Sequence, residues 1–174
     1  MTDSNIDELS LMFEASRSLI AGAKIVVASD GIEEEGHVRH PTLPVIVCSG
    51  LAIEIQLKLL LKLCKRPRPS GDGHDLNSLF DALPPDLQSE ILASESVALN
   101  LPVDEIRTKI KAEANVFKTW RYPYEKEMLQ TEPAFLVDFA IILSQFIATK
   151  APIERSANGW ISDRRSDAPT TLAV

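Results

Sequence analysis

The run VIVCSGLAIEIQLKLLLKLC, residues 45–64, decides the fold of this chain. It is apolar nearly all round, which predicts the most buried helix of a helical bundle. Thr42 and Pro44 precede it and are typical of a helix start, so the predicted helix extends from there to about Cys64. Its one interruption is a thin polar stripe at successive i,i+4 positions: Glu54, Lys58 and Lys62.

Apolar residues recur at helical spacing along almost the whole chain, and no run alternates with period two. The predicted long helices extend from Asp3 or Ser4 to Gly31, Thr42 to Cys64, Pro102 to Pro123, and Glu132 to Thr149, and the predicted short ones cover Asp75–Leu83 and Asp86–Ser94. Residues 33–44 are predicted to be a loop. The pattern therefore predicts an all-α, up-and-down bundle of four long helices plus one or two short helices over residues 1–150, followed by a flexible C-terminal tail at 151–174.

Composition narrows the class of protein further. The 174 residues fit one domain, and the net charge of -7 argues against a surface that binds nucleic acid everywhere. Cys48 and Cys64 would lie ~24 Å apart on one helix, too far for a disulfide, so we expect buried, reduced thiols in a cytoplasmic protein. We expect no membrane span, no cofactor and no metal. His37 and His40 follow three glutamates but are better explained as loop residues than as metal ligands.

Charge is distributed unevenly along the chain. Residues 45–70 contain five basic and one acidic side chain, whereas the segments on either side are acidic. The basic side chains lie at the end of the second helix and in the loop after it: Lys58, Lys62, Lys65, Arg66 and Arg68.

The predicted topology brings a second segment to the same end of the bundle. If the helix from Pro102 runs back along the bundle, its last turns lie near Arg66, His74 and Asp75. Cations, aromatic rings and one histidine would meet there, which suits a phosphate or a nucleotide. The side chains that this segment contributes are Lys118, Trp120, Arg121, Tyr122, Tyr124 and Glu125.

A structural role is the alternative for each of these residues. Arg121 can pair with Asp75 or Glu125, and His74 can simply position the start of its short helix. For Lys58 and Lys62 taken alone, a solvated helix face is the preferred interpretation.

Three segments resemble the HEPN superfamily of small all-helical domains: SGLAIEIQLKLLLKL (49–63), GHDLNSLFDALP (73–84) and ANVFKTWRYPYE (114–125). The similarity extends over roughly residues 8–150. It implies a four- or five-helix bundle that is frequently a homodimer. It also implies RNA-directed activity, either as a metal-independent endoribonuclease of toxin–antitoxin, defence and RNA-processing systems or as a non-catalytic RNA- or nucleotide-binding relative.

Catalytic members of that superfamily have an arginine, a polar residue and then a histidine. Arg121 matches the arginine, but Tyr122 stands in place of the polar residue, and no histidine lies between Pro123 and Gln130. Metal-free RNA cleavage needs a base for the 2′-hydroxyl proton, so the resemblance implies a divergent domain without standard nuclease activity.

We therefore expect a domain that binds RNA or a nucleotide at the Arg121 end, in a stress or defence system. Two alternatives remain open. The first is an endoribonuclease in which His74 or Tyr124 serves as the base beside Arg121. The second is a non-catalytic adaptor that binds a protein partner.

Overall fold

The chain folds into α-helices joined by short connections. The computed structural model describes residues 3–29, 32–34, 37–39, 42–70, 73–121 and 131–150. Within these ranges the helices are α1 (Asp3–Val27), α2 (Thr42–Leu63), α3 (Leu76–Asp81), α4 (Pro85–Leu99), α5 (Val103–Ala112), α6 (Val116–Arg121) and α7 (Pro133–Lys150). The predicted all-α class is confirmed, while the up-and-down order of the long helices stays a prediction. The predicted tail, residues 151–174, lies outside the described residues.

Helix α2 is the centre of the fold, as its sequence predicts. It packs against α1, α3, α6 and α7. Ile46, Leu57 and Leu59 have no exposed surface, and a buried side chain of this size stabilises the fold by about 1.5–3 kcal/mol. The amide of Gln56 donates a hydrogen bond of 3.1 Å to the carbonyl of Ala140, which fastens α2 to α7.

The helix predicted from Pro102 is broken in two, so the prediction of one long helix here is wrong. The carbonyl of Ala114 accepts a hydrogen bond from the amide of Leu76 (2.8 Å). Glu113 also turns its carboxylate toward the start of α7, where it accepts from Thr131 Oγ1 (2.7 Å) and from the amide of Glu132 (2.9 Å). Between α5 and α6, the carboxylate of Glu113 and the carbonyl of Ala114 are thus engaged in hydrogen bonds to other parts of the fold.

Two connections also differ from the predictions. The predicted loop contains a small antiparallel hairpin, β1 (Ile32–Glu34) and β2 (His37–Arg39), in which Ile32 pairs with Arg39. Strands of three residues are too short for period-two alternation to show in the sequence. The second short helix is longer than the predicted Asp86–Ser94. Helix α4 extends from Pro85 to Leu99, and Asn100 caps its end in the left-handed conformation (φ 53°).

The two cysteines are free thiols but are half-buried rather than buried as predicted. Partial burial raises the pKa of the Cys64 thiol, and the nearby charge of Arg66 opposes that rise.

Two of the described helices, α2 and α7, are long and apolar enough to cross a membrane by length and composition alone. Core helices pass the same test, and 61% of the most apolar α2 window is buried within the fold. Length and composition are therefore weak evidence for a membrane span. The expectation that nothing spans a membrane stays a prediction.

Candidate functional site

The structure describes part of the predicted site. The hydrogen bond between Leu76 and Ala114 holds the segment after His74 beside the turn that precedes α6. Arg121, seven residues after Ala114, ends that helix. Tyr122, Tyr124 and Glu125 lie outside the described residues, as does the side chain of Arg121. That Arg121 and His74 lie close together therefore stays a prediction.

His74 is held by a buried carboxylate on α2. Its Nδ1 lies 3.0 Å from both carboxylate oxygens of Glu54, whose side chain is 4% exposed. Lys58 Nζ donates to the same carboxylate at 2.6 Å. We call these three residues, Glu54, Lys58 and His74, the acid–base cluster.

Sequence reasoning missed this cluster because it assigned Glu54 to a polar stripe. The interpretation of a solvated helix face is wrong for Lys58, whose side chain is only 14% exposed. A buried charge needs a partner, so the i,i+4 pair of Glu54 and Lys58 in an otherwise apolar helix was the sequence feature that could have indicated a buried ion pair. The third member, His74, lies 20 residues further along the chain, and only the tertiary structure brings it to Glu54.

The acid–base cluster ties the segment around His74 to the middle of α2. Gly73 sits in the left-handed region (φ 68°), where a side chain would be strained, and a Cβ there would lie 3.9 Å from Lys58 Nζ. A carboxylate that binds one nitrogen of histidine fixes the orientation of the ring. The described geometry therefore provides an oriented imidazole, half-buried at the surface.

The other predicted lysine of the stripe is also in an ion pair. Lys62 pairs with Glu8 on α1, and the hydrogen bond and positive charge of Lys62 lower the pKa of that carboxyl group. Lys58 and Lys62 thus interact with acids of the chain itself, and their positive charges are largely balanced.

Asp75 and Trp120 have structural contacts. Asp75 is the N-cap of α3 and accepts from the amide of Ser78 at 2.6 Å, which confirms the predicted cap. Trp120 is half-buried and packs against the hydrophobic core. Lys118, two residues before it, is exposed.

An open groove of about 410 Å³ lies where the loop after α2 meets α3. One rim includes Arg66 and Arg68, both exposed, and the other includes Asp81, which is ion-paired with Arg107 on α5. The lining residues, which we call the α2–α3 groove, are Arg66, Pro67, Arg68, Pro69, Ser78, Asp81 and Ala82.

Comparison with protein families gives one match. A family described as "Ubiquitin binding region" matches residues 67–98, less than a fifth of the chain. No curated protein and no solved structure matches.

The resemblance to the HEPN superfamily is therefore wrong. The family that matches is a different one, and its segment includes the whole Gly-His-Asp-Leu motif, residues 73–76, on which the resemblance depended. Short amphipathic helix starts of this kind recur in all-α proteins because capping and apolar spacing dictate them.

The matched segment contains α3, the short turn that ends at Pro84, and all of α4 but its last residue. Five of its apolar side chains are buried in the core of this chain, whereas Val97 is 85% exposed. The buried ones are Leu76, Leu79, Phe80, Leu83 and Ile91. They are unavailable to a partner, so any partner must contact the exposed side of the segment, which includes all of the α2–α3 groove except Arg66.

Proposed function

We propose that this chain is a protein-interaction module that binds ubiquitin or a ubiquitin-like domain through residues 67–98. The observation that carries the proposal is the match of this segment to a family described as a ubiquitin binding region. The matched segment includes α3 and nearly all of α4, and the α2–α3 groove beside α3 provides a concave surface.

Two structural features favour binding at the α2–α3 groove. Pro67 and Pro69 restrict the loop on one side, and α3 is anchored by the Asp75 cap and by the core on the other. A surface that is already rigid loses little conformational entropy when a partner binds. Arg66 and Arg68 are exposed at the edge of the groove and form no ion pair with any residue in the described ranges.

Titration calorimetry with ubiquitin tests the proposal. Ser78 is exposed and lines the groove, so Ser78→Arg fills it without removing a core contact; we expect it to weaken binding by about tenfold or more. Gln145→Arg adds the same charge on the exposed side of α7, outside the matched segment, and should leave the affinity unchanged. Equal affinities of the two variants, or no heat of binding from the unmodified chain, would refute the proposal.

The exposed arginines favour a second candidate, the binding of RNA or a nucleotide. This function does not depend on the superfamily resemblance, because it rests on the basic rim of the α2–α3 groove. Phosphate contacts make affinity fall steeply with salt. A titration with single-stranded RNA at two salt concentrations should then show a steep loss of affinity, and the double variant Arg66→Ala/Arg68→Ala should reduce the slope. Affinity unaltered by that double variant rules this candidate out.

A further inference from the structure

The last turn of α4 and the first turn of α5 form an exposed apolar corner. Val97 is 85% exposed, more than any other large apolar side chain in the described ranges, and Val103 is 42% exposed. Ala98 and Pro102, which lie between them in sequence, are also exposed. We call these four residues, Val97, Ala98, Pro102 and Val103, the α4–α5 corner. Val97 and Ala98 belong to the segment that matches the ubiquitin-binding family.

The backbone of the α4–α5 corner is held by a compact turn. Asn100 adopts the left-handed conformation that closes α4. The amide of Leu101 donates to the carbonyl of Ser96 at 3.3 Å, and Ser96 Oγ donates to the carbonyl of Leu101 at 2.6 Å. Leu101 is itself half-buried and packs against the hydrophobic core. The exposed side chains therefore lie on a backbone that is ordered without a partner, which reduces the entropy lost on binding.

The fold itself gains little from the side chain of Val97. An apolar side chain stabilises a fold through the area that it removes from water, and most of Val97 remains in water. Valine also has a lower helix propensity than alanine, lysine or glutamate. Single exposed apolar residues are common at protein surfaces, but Val97 lies on the same corner as three further exposed apolar residues. A group of apolar side chains on a rigid corner favours contact with a partner.

Acidic side chains lie beside the α4–α5 corner. Asp104 and Glu105 are both exposed in the first turn of α5, directly after Val103. Carboxylates at this position also interact favourably with the helix dipole, and Glu105 lies 3.9 Å from Lys109, which partly balances its charge. The apolar corner thus has a negative edge. It complements an apolar patch with basic side chains beside it, and it repels the phosphates of a nucleic acid.

We propose that the ubiquitin-like partner also covers the α4–α5 corner, through an apolar patch of its own that has basic side chains at its edge. This inference rests on the proposed function, because the family match is the observation that indicates the partner. The α2–α3 groove includes Asp81 and Ala82, just before α4, and the corner lies at the other end of that helix. A helix of 15 residues is about 22 Å long, less than the ~30 Å diameter of a small domain, so one partner domain is large enough to contact both ends.

Titration calorimetry of the full chain with ubiquitin tests this inference. Val97→Lys places a cation in the apolar corner, where it repels the basic edge of the partner, so we expect the dissociation constant to rise by about tenfold or more. Ile25→Lys is the matched control, because Ile25 is 72% exposed on α1, outside the matched segment, and its replacement should leave the affinity unchanged. Asp104→Asn removes only a charge at the edge, so it should weaken binding less, and only at low salt.

The outcomes distinguish this inference from the proposed function. Urea unfolding of Val97→Lys should give the midpoint of the unmodified chain, because the side chain is exposed, so a loss of affinity then reports a lost contact. If the unmodified chain binds ubiquitin and Val97→Lys binds it equally tightly, the inference is wrong while the proposed function stands. Equal losses in Val97→Lys and Ile25→Lys also contradict it. No heat of binding from the unmodified chain refutes the proposed function and this inference together.

Discussion

Replacing Glu95 with methionine is expected to raise the free energy of unfolding at neutral pH by about 3 kcal/mol. Glu95 lies on α4, is 1% exposed, and neither carboxyl oxygen has a hydrogen-bond partner among the described residues. Burial, and secondly the negative charge of Asp138, raises the pKa of Glu95 to about 9. The folded chain must therefore take up a proton that the unfolded chain has released, and methionine removes this cost while filling a similar volume.

The sign of the pH dependence follows from the direction of the shift. Between the ordinary glutamate pKa of 4.5 and about 9, the folded chain binds a proton at Glu95 that the unfolded chain does not. Stability falls with pH wherever the folded state binds more protons. The contribution of Glu95 is thus fully present below pH 4.5 and is lost as the pH rises to about 9.

Urea unfolding of the unmodified chain and of Glu95→Met at several pH values measures this effect. The gain in free energy of unfolding should widen as the pH rises and become constant above about 9. The control is Glu90→Met on the same helix, because that carboxylate is exposed and paired with Lys150, so its replacement should have little effect. If the free energies of unfolding of the unmodified chain and of Glu95→Met change with pH in parallel, Glu95 is ionised in the folded state at neutral pH.

Replacing Glu54 with alanine is expected to lower the free energy of unfolding by about 3–5 kcal/mol. The substitution leaves Lys58 Nζ, on a side chain that is 14% exposed, without its carboxylate, and it removes the group that orients His74. Breaking a buried ion pair from one side costs more than the pair itself contributes, because the remaining charge stays desolvated. Glu54→Gln keeps an acceptor for both partners, so a smaller loss is expected.

Chemical unfolding of Glu54→Ala and of Glu8→Ala distinguishes the effect of breaking a buried ion pair from the effect of removing a charge at the surface. Glu8 also pairs with a lysine of α2, but solvent screens that pair, so its loss should change stability little. Hydrogen exchange should also quicken at the backbone amides of Gly73, His74 and Asp75, because the acid–base cluster ties this segment to α2. Equal destabilisation by the two alanine variants would show that Glu54 contributes no more than a surface ion pair.

Several local features were predictable from the sequence because short-range chemistry decides them. The apolar run 45–64 must be buried on all sides, and α2 contacts four other helices. Asp75 before Leu76 predicts an N-cap, and the carboxylate accepts from the amide of Ser78 as that position requires. Pro84 after Leu83 marks the end of the first short helix, because proline is compatible with a helix start but not with its interior.

Only the tertiary structure determined the contacts between residues that are distant in sequence. The break between α5 and α6 depends on a hydrogen bond from Leu76, 38 positions before its acceptor Ala114, and no local pattern encodes it. The pairing of Glu54 with His74 and the burial of Glu95 likewise depend on which helix faces which. Helical periodicity specifies which side of each helix is apolar, but the contacts of a polar side chain on that side depend on how the helices pack together.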